Sequence, residues 1–386
     1  MTSLPYAFYE FFAGGGMARA GLGTEHWRCL FANDVDLKKS RSYQDNWGGD
    51  ALRTGDIGTL TPPDLPGHAD LVWASFPCQD LSLAGGGAGL KGERSGTFWP
   101  FWRLMQGLVA AQRAPKLIVL ENVCGTLTAH GGKDFTAIGA TFQQAGYRFG
   151  ALVIDAALFV PHSRPRLFML GVHASGTIPA ALFGAGASAP WHPKTLQATF
   201  ARLPTADQAN WLWWRLPLPA LSEQIFADII EANPTSVTWH TPAETQHLLA
   251  MMSAVNRAKV ERAQQAGCRV VGTVYRRTRL DEYGVRAQRA EVRFDDLAGC
   301  LRTPAGGSSR QIILIVHGAE VRSRLISSRE TARLMGLPDT YRLPPSYNEA
   351  YHLTGDGVVV PVVRHLAQHL FEPLLAAWVG ELRAAV

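Results

Sequence analysis

The first 173 residues predict an α/β fold, a mostly parallel sheet with helices on both faces. Three observations predict it. Short apolar strands alternate with helical stretches, the pattern of βα units. The first strand runs straight into Ala13-Gly14-Gly15-Gly16. An acidic residue, Asp34, ends the second strand about 20 residues further on, where such sheets place a carboxylate against ribose hydroxyls.

The elements follow in order. Residues 6–12 are an apolar, aromatic run and read as strand one. The glycines after it lack a Cβ, so the backbone can approach a ligand, and residues 17–22 open a helix whose first N–H groups are free. Residues 28–32 read as strand two and 37–46 as a helix. A buried-looking strand covers 69–75, and another covers 117–123. Residues 135–145 are helical and stop at Gly146; 147–159, with an interruption, and 167–172 are two more strands.

From about Ser175 the composition changes. Proline and alanine rise, periodicity fades, and Trp211, Trp213 and Trp214 cluster; they read as core rather than a stacking platform. Residues 268–310 are rich in arginine. The expected division is a first domain of residues 1–180 and 344–386 and a second, smaller, irregular domain of 181–343. With 386 residues and 47% hydrophobic content the chain can bury two cores. Its net charge of +5 permits a nucleic-acid partner. Five cysteines without a CxxC pair argue against a disulfide framework or a zinc site, so no metal is expected. No apolar run reaches transmembrane length, and no signal-peptide pattern precedes strand one. A cytoplasmic monomer is expected.

Three strand ends carry chemistry. Pro77-Cys78-Gln79 follows the strand at 69–75, the usual station of a nucleophile on an open sheet, and Gly85–Gly92 beyond it reads as a closing lid. Glu121-Asn122-Val123 ends the next strand. Arg164 and Arg166, two apart, should share a face of an extended segment. Asp56, in Gly55-Asp56-Ile57, suits an adenine amino group or a turn cap. Asp356, between Gly355 and Gly357, suits a cationic ligand group or a helix cap.

Taken in order, these strings resemble the DNA cytosine-5 methyltransferase family of the bacterial restriction–modification type. Ser75-Phe76-Pro77-Cys78-Gln79 resembles its nucleophile motif, Glu121-Asn122-Val123 the next, and Val160 to Arg166 its arginine motif. Arg329 to Pro338 resembles a structural motif. The resemblance implies a Rossmann-like S-adenosylmethionine-dependent methyltransferase sheet with a target-recognition domain. It implies S-adenosylmethionine as cofactor, held by Phe12, Gly14, Gly16, Asp34, Val35, Asp56, Ile57, Pro77, Asp356 and Val358. The family often has a bulky aromatic where Val35 stands, and asparagine where Asp356 stands. Cys78 would add to cytosine C6, Glu121 would contact N3 and the exocyclic amine, Arg166 would hold O2, and Arg164 would orient Glu121 or the base. Asn122 would position the loop carrying Cys78. Arg276, Arg277, Arg279 and Arg310 would contact double-stranded DNA, whose target base must flip out to reach Cys78. A cognate restriction endonuclease is a further partner of such enzymes. Two competitors are an RNA cytosine-5 methyltransferase on the same scaffold and a DNA-binding module without catalysis.

Overall fold

The computed structural model describes residues 6–77, 97–220, 222–280, 284–301 and 310–384. Cys78, the glycines from 85 to 92 and those at 306 and 307 lie outside the described residues. The chain divides into two compact units, residues 1–155, 165–219 and 358–386, and residues 156–164 and 220–357.

The first unit is built on seven strands: β1 (Tyr6–Phe11), β2 (Trp27–Asp34), β3 (Leu52–Thr54), β4 (Leu71–Ala74), β5 (Leu117–Val123), β6 (Tyr147–Asp155) and β7 (Pro165–His173). They lie in the order β3-β2-β1-β4-β5-β7-β6. The neighbours among β1 to β5 are parallel, as the alternating pattern predicts. β7 is antiparallel to both β5 and β6. The short link of residues 156–164 cannot hold the crossover helix that a parallel pairing of β6 with β7 would need. The strand expected over 147–159 accordingly stops at Asp155 and turns through a 3₁₀ segment, Ala156–Leu158. Strand order reverses between β1 and β4, so the crevice for ligands lies at their carboxyl ends.

Up to residue 219 the described α-helices of this unit are α1 (Met17–Leu22), α2 (Leu37–Trp47), α3 (Phe98–Ala110), α4 (Lys133–Gln144), α5 (Lys194–Phe200) and α6 (Thr205–Ala209). α3 is not evident from the sequence pattern because Pro100 interrupts it. Proline sits there in the first turn, where a missing N–H breaks no helical bond. Phe98, Phe101, Trp102, Met105 and Leu108 make its buried face, continuous with Tyr9, Phe11, Val72, Ile118 and Leu120 of the sheet. The tryptophan cluster is core, as expected. Trp211 lies 6.1 Å from the Phe135 ring and 5.4 Å from that of Phe149, and the two-residue strand β9 (Trp213–Trp214) pairs with β8 (Phe183–Gly184).

The second unit is more regular than its composition suggests. β10 (Arg269–Leu280), β11 (Arg286–Arg293), β12 (Ile312–His317) and β13 (Glu320–Leu325) form an antiparallel sheet in the order β11-β10-β12-β13. α7 (Pro242–Ala250) and α8 (Ala254–Gln265) cover one face, packing Leu248, Val260 and Ala263 on Val274, Ala290, Val292 and Leu314. α9 (Ser328–Leu334) and α10 (Tyr347–Asp356) complete the unit. In α9 the fully buried Glu330 accepts hydrogen bonds from both Nη atoms of Arg324, at 2.8 and 2.6 Å, and from the Ser327 amide. This fits the structural role expected of the Arg329–Pro338 motif. The chain then returns to the first unit through α11 (Val360–Leu366) and α12 (Glu372–Ala384). α1 and α11 touch closely at Gly21, where a Cβ would stand 2.3 Å from that of Val363.

Candidate active site

The carboxyl ends of β1, β2 and β3 converge on one cradle. Phe12 leaves β1 at φ 56°, a left-handed conformation that costs a non-glycine residue energy and so marks an imposed geometry. Gly14 follows at φ 55°, with open space where its Cβ would be. Its amide donates to Asp34 Oδ2 at 2.7 Å, and the Asp36 amide donates to Oδ1 at 2.8 Å. Each carboxylate oxygen keeps a second lone pair for a hydroxyl donor. Burial raises the Asp34 pKa, and the amides of Asp36 and Gly14 pull it back. Asn33 Nδ2 donates to the carbonyls of Arg53 and Gly55, holding the turn after β3 beside Asp34. In that turn Asp56 accepts from the Gly58 amide at 2.7 Å, which is the cap role, and Ile57 is buried. Val35 is 68% exposed, an apolar side chain left open beside the cradle. Gly16 is packed against Trp47, so its part is close approach rather than open space. These residues fit a nucleoside ligand: a carboxylate for hydroxyls, an open glycine for close approach, and an exposed apolar wall.

Sequence reasoning does not single out Glu10. It is 1% exposed near the carboxyl end of β1, its Oε1 accepts from the Arg19 amide at 3.3 Å, and its Oε2 has no hydrogen-bond partner. The available signal is a lone acid within an apolar strand, because such residues are almost never buried unpaired. Burial pushes its carboxyl up to about 8, against the opposing pull of Arg19. An acid with a raised native pKa holds its proton in the folded chain after the unfolded chain has lost it. Its stabilising contribution is complete below the ordinary glutamate value of 4.5 and is lost as pH rises through about 8. Glu10→Gln is therefore expected to flatten the fall in melting temperature between pH 5 and 9. At pH 9 it should be more stable than wild type by on the order of 3 kcal/mol. Parallel melting curves for the two proteins across that range would remove Glu10 as the titrating group.

The ends of β4 and β5 carry the second cluster. Asn122, buried, donates from Nδ2 to the Phe76 carbonyl at 3.1 Å, while its Oδ1 accepts from the Val123 amide. It thereby ties β5 to Phe76, two residues before Cys78. Glu121, beside it, is buried and pairs with Arg166, Nε to Oε1 at 3.4 Å. Arg166 comes from β7, whose antiparallel register sets it opposite Val123. A second thiol, Cys124, is half-buried nearby. Burial pushes it up to about 11 although Arg166 pulls it down, so it is a thiol rather than a thiolate.

Arg164 and Arg166 meet different partners. Arg164 directly precedes β7, which begins at Pro165. It is buried in the second unit, where Nη2 donates to the carbonyls of Gly355 and Gly357 at 2.7 and 2.8 Å and Nη1 to that of Leu301 at 3.3 Å. His162 is wholly buried in the same unit, its Nε2 accepting from the Leu301 amide and its Nδ1 facing the Leu334 carbonyl. Gly355 and Asp356 do not form the expected glycine turn; they end α10. Asp356 is exposed and is the last residue of α10. A carboxylate at a helix C-terminus gains nothing from the dipole. Val358 is buried in the first unit. Among the arginines, Arg277 and Arg279 both pair with Glu291, whereas Arg276 lies at the next register position, opposite Ala290. Arg310 packs over the Tyr347 ring at 5.6 Å and bonds Asn348. Among the described residues no helix is long and apolar enough to cross a membrane, and no group of three or more His, Cys, Asp and Glu forms a metal site.

Comparison with known proteins adds to this geometry. The model of C-5 cytosine-specific DNA methylases matches residues 6–372. The chain is 26% identical to the Type II methyltransferase M.NlaX of Neisseria lactamica over 375 residues, 96% of this chain and 98% of that protein. It is 24% identical to the Type II methyltransferase M.HhaI of Haemophilus parahaemolyticus over 364 residues, covering 94% and 93%. Among solved structures it is similar in fold to the Entamoeba histolytica methyltransferase EhMeth, with TM-score 0.64, 13% identity and 96% and 99% coverage. The S. pombe Dnmt2 methyltransferase gives TM-score 0.56 at 17% identity, with the same coverage.

Proposed function

The chain belongs to the C-5 cytosine-specific DNA methylases, and from that premise we propose how its own residues methylate cytosine in a specific double-stranded DNA sequence. The observation that carries the proposal is the Glu121–Arg166 pair, set beside the Asn122 link to the segment preceding Cys78. S-adenosylmethionine, when bound, supplies an electrophilic methyl group. Asp34 would take the ribose hydroxyls, Gly14 the close approach, Phe12 and Val35 the walls of the adenine site, and Asp56 with Ile57 its edge. Gly16, Pro77 and Val358 would border the same crevice.

On the DNA side, the target cytosine leaves the helix, because its C6 atom is not accessible to a side chain within the stack. Cys78 attacks as thiolate, forming the S–C6 bond and pushing the ring electrons toward C5. Glu121 stabilises the charge this places on N3 by hydrogen bonding and proton donation, and accepts from the exocyclic amine. Arg166 holds O2. After C5 is methylated, water takes its proton, the C5–H electrons form the C5=C6 bond, the S–C6 electrons leave on sulfur as thiolate, and N3 returns its proton to Glu121. Arg164 is tied to the carbonyls of Gly355, Gly357 and Leu301 within the second unit, and no step is drawn through it. A cognate restriction endonuclease in the same cell is the proposed biological partner. Incorporation of labelled methyl groups into duplex DNA but not RNA, located by bisulfite sequencing, is the expected result. Incorporation into RNA alone would favour the RNA reading.

Sequence choice is proposed for residues 181–343, where Arg276, Arg277, Arg279 and Arg310 lie. Exchange of this region with that of a relative is expected to transfer the methylated sequence. A folded, active chimera that keeps its original target would locate recognition elsewhere.

A further inference from the structure

The sheet of the second unit sorts its arginines by register. Successive residues of a strand point to opposite faces. Val274, Val292 and Ala290 face the α7–α8 core. Arg276 is paired with Ala290 and stands on that same side. The pairs Tyr275–Glu291, Arg277–Arg289 and Arg279–Ala287 stand on the other.

On this second face the charges are arranged rather than scattered. Glu291 accepts from Arg279 Nε at 2.7 Å and pairs with Arg277 Nε at 3.3 Å. The Arg277 guanidinium also lies 5.9 Å from the Tyr275 ring centroid, and the Tyr275 hydroxyl donates to the Cys300 carbonyl at 2.7 Å. Arg289 stands directly opposite Arg277. Like charges facing across a ladder destabilise it. The ion-paired side chains are 39% (Arg277), 51% (Arg279) and 33% (Glu291) exposed, and pairs so open contribute little stability. The cluster is therefore not explained by holding the sheet together. One carboxylate spaces two guanidiniums, a third faces them, and positive charge remains in excess. The complement of such a surface is a polyanion.

We infer that Arg277, Arg279 and Arg289 form a phosphate-binding face for duplex DNA, on which Glu291 restrains Arg277 and Arg279, and that Arg276 is not part of it. This rests on the DNA methyltransferase reading. Phosphate contacts release counterions, so each one lost lowers the slope of log affinity against log salt by about 1.

The test is fluorescence anisotropy of the full chain with a labelled random-sequence duplex, across about 50 to 200 mM salt. Arg277→Ala and Arg289→Ala should each reduce the slope by about 1, Arg289→Lys should preserve it, and Arg276→Ala should leave it unchanged. Glu291→Gln should tighten binding several-fold by freeing two guanidiniums; a merely structural glutamate would weaken it. Unchanged slopes in the Arg277→Ala and Arg289→Ala proteins, or an equal loss in Arg276→Ala, overturn the assignment. Weaker or unchanged binding by Glu291→Gln overturns the restraining role of Glu291. Methyl incorporation by the wild-type protein is measured in parallel. Incorporation with unchanged slopes overturns the phosphate face alone, whereas no incorporation into DNA overturns the parent reading and this inference with it.

Discussion

A Cys78→Ala protein is expected to lose methyl transfer by at least roughly 10³-fold, the scale on which removal of a covalent nucleophile is felt. Wild-type protein should also be trapped covalently on duplex DNA carrying 5-fluorocytosine at the target. Fluorine at C5 cannot leave as a proton does, so the S–C6 bond cannot be broken by elimination. Denaturing electrophoresis reads the trapped species directly. The control is Cys124, the half-buried thiol near Glu121 and Arg166. With its pKa pushed up to about 11, it is a poor nucleophile near neutral pH, so Cys124→Ser should still be trapped. Trapping that survives Cys78→Ala and disappears with Cys124→Ser would move the nucleophile to the neighbouring strand end.

Glu121→Gln should slow single-turnover methyl transfer by roughly 10²–10⁴-fold while DNA affinity stays within a few-fold of wild type. The substitution keeps the shape and one acceptor oxygen but removes the acid. It also leaves Arg166 without the carboxylate it meets at 3.4 Å, so a modest drop in melting temperature should accompany the kinetic loss. The two effects separate in single-turnover rates measured well below the melting temperature. Rates near wild type would make Glu121 a structural partner of Arg166 and nothing more.

The proposed cofactor cradle is legible in the sequence because its parts are local. A glycine turn after a strand, an acid at the end of the next strand and an acid after the third are spaced along one stretch of chain. The bonds that join them, Gly14 to Asp34 and Asn33 to Gly55, span only about 20 residues. The order of the motifs likewise identifies the enzyme class, since each strand end contributes a short contiguous string. Even there, burial is invisible: Glu10 differs from a surface glutamate only in what surrounds it.

What tertiary structure alone decided concerns partners far apart in the sequence. Alternation predicts Arg164 and Arg166 on one face, but it says nothing of the partner each one meets. Arg164 satisfies carbonyls 191 and 193 residues away, at the end of α10, where the sequence suggests a free glycine turn. Arg276 and Arg277 are neighbours in the chain and stand on opposite faces of a sheet, a distinction that exists only once β10 has paired with β11 in a definite register. Sequence by itself determined the kinds of residue available and their local geometry. Which of them meet was decided by long-range pairing and burial, because those energies depend on neighbours that the chain supplies only after it has folded.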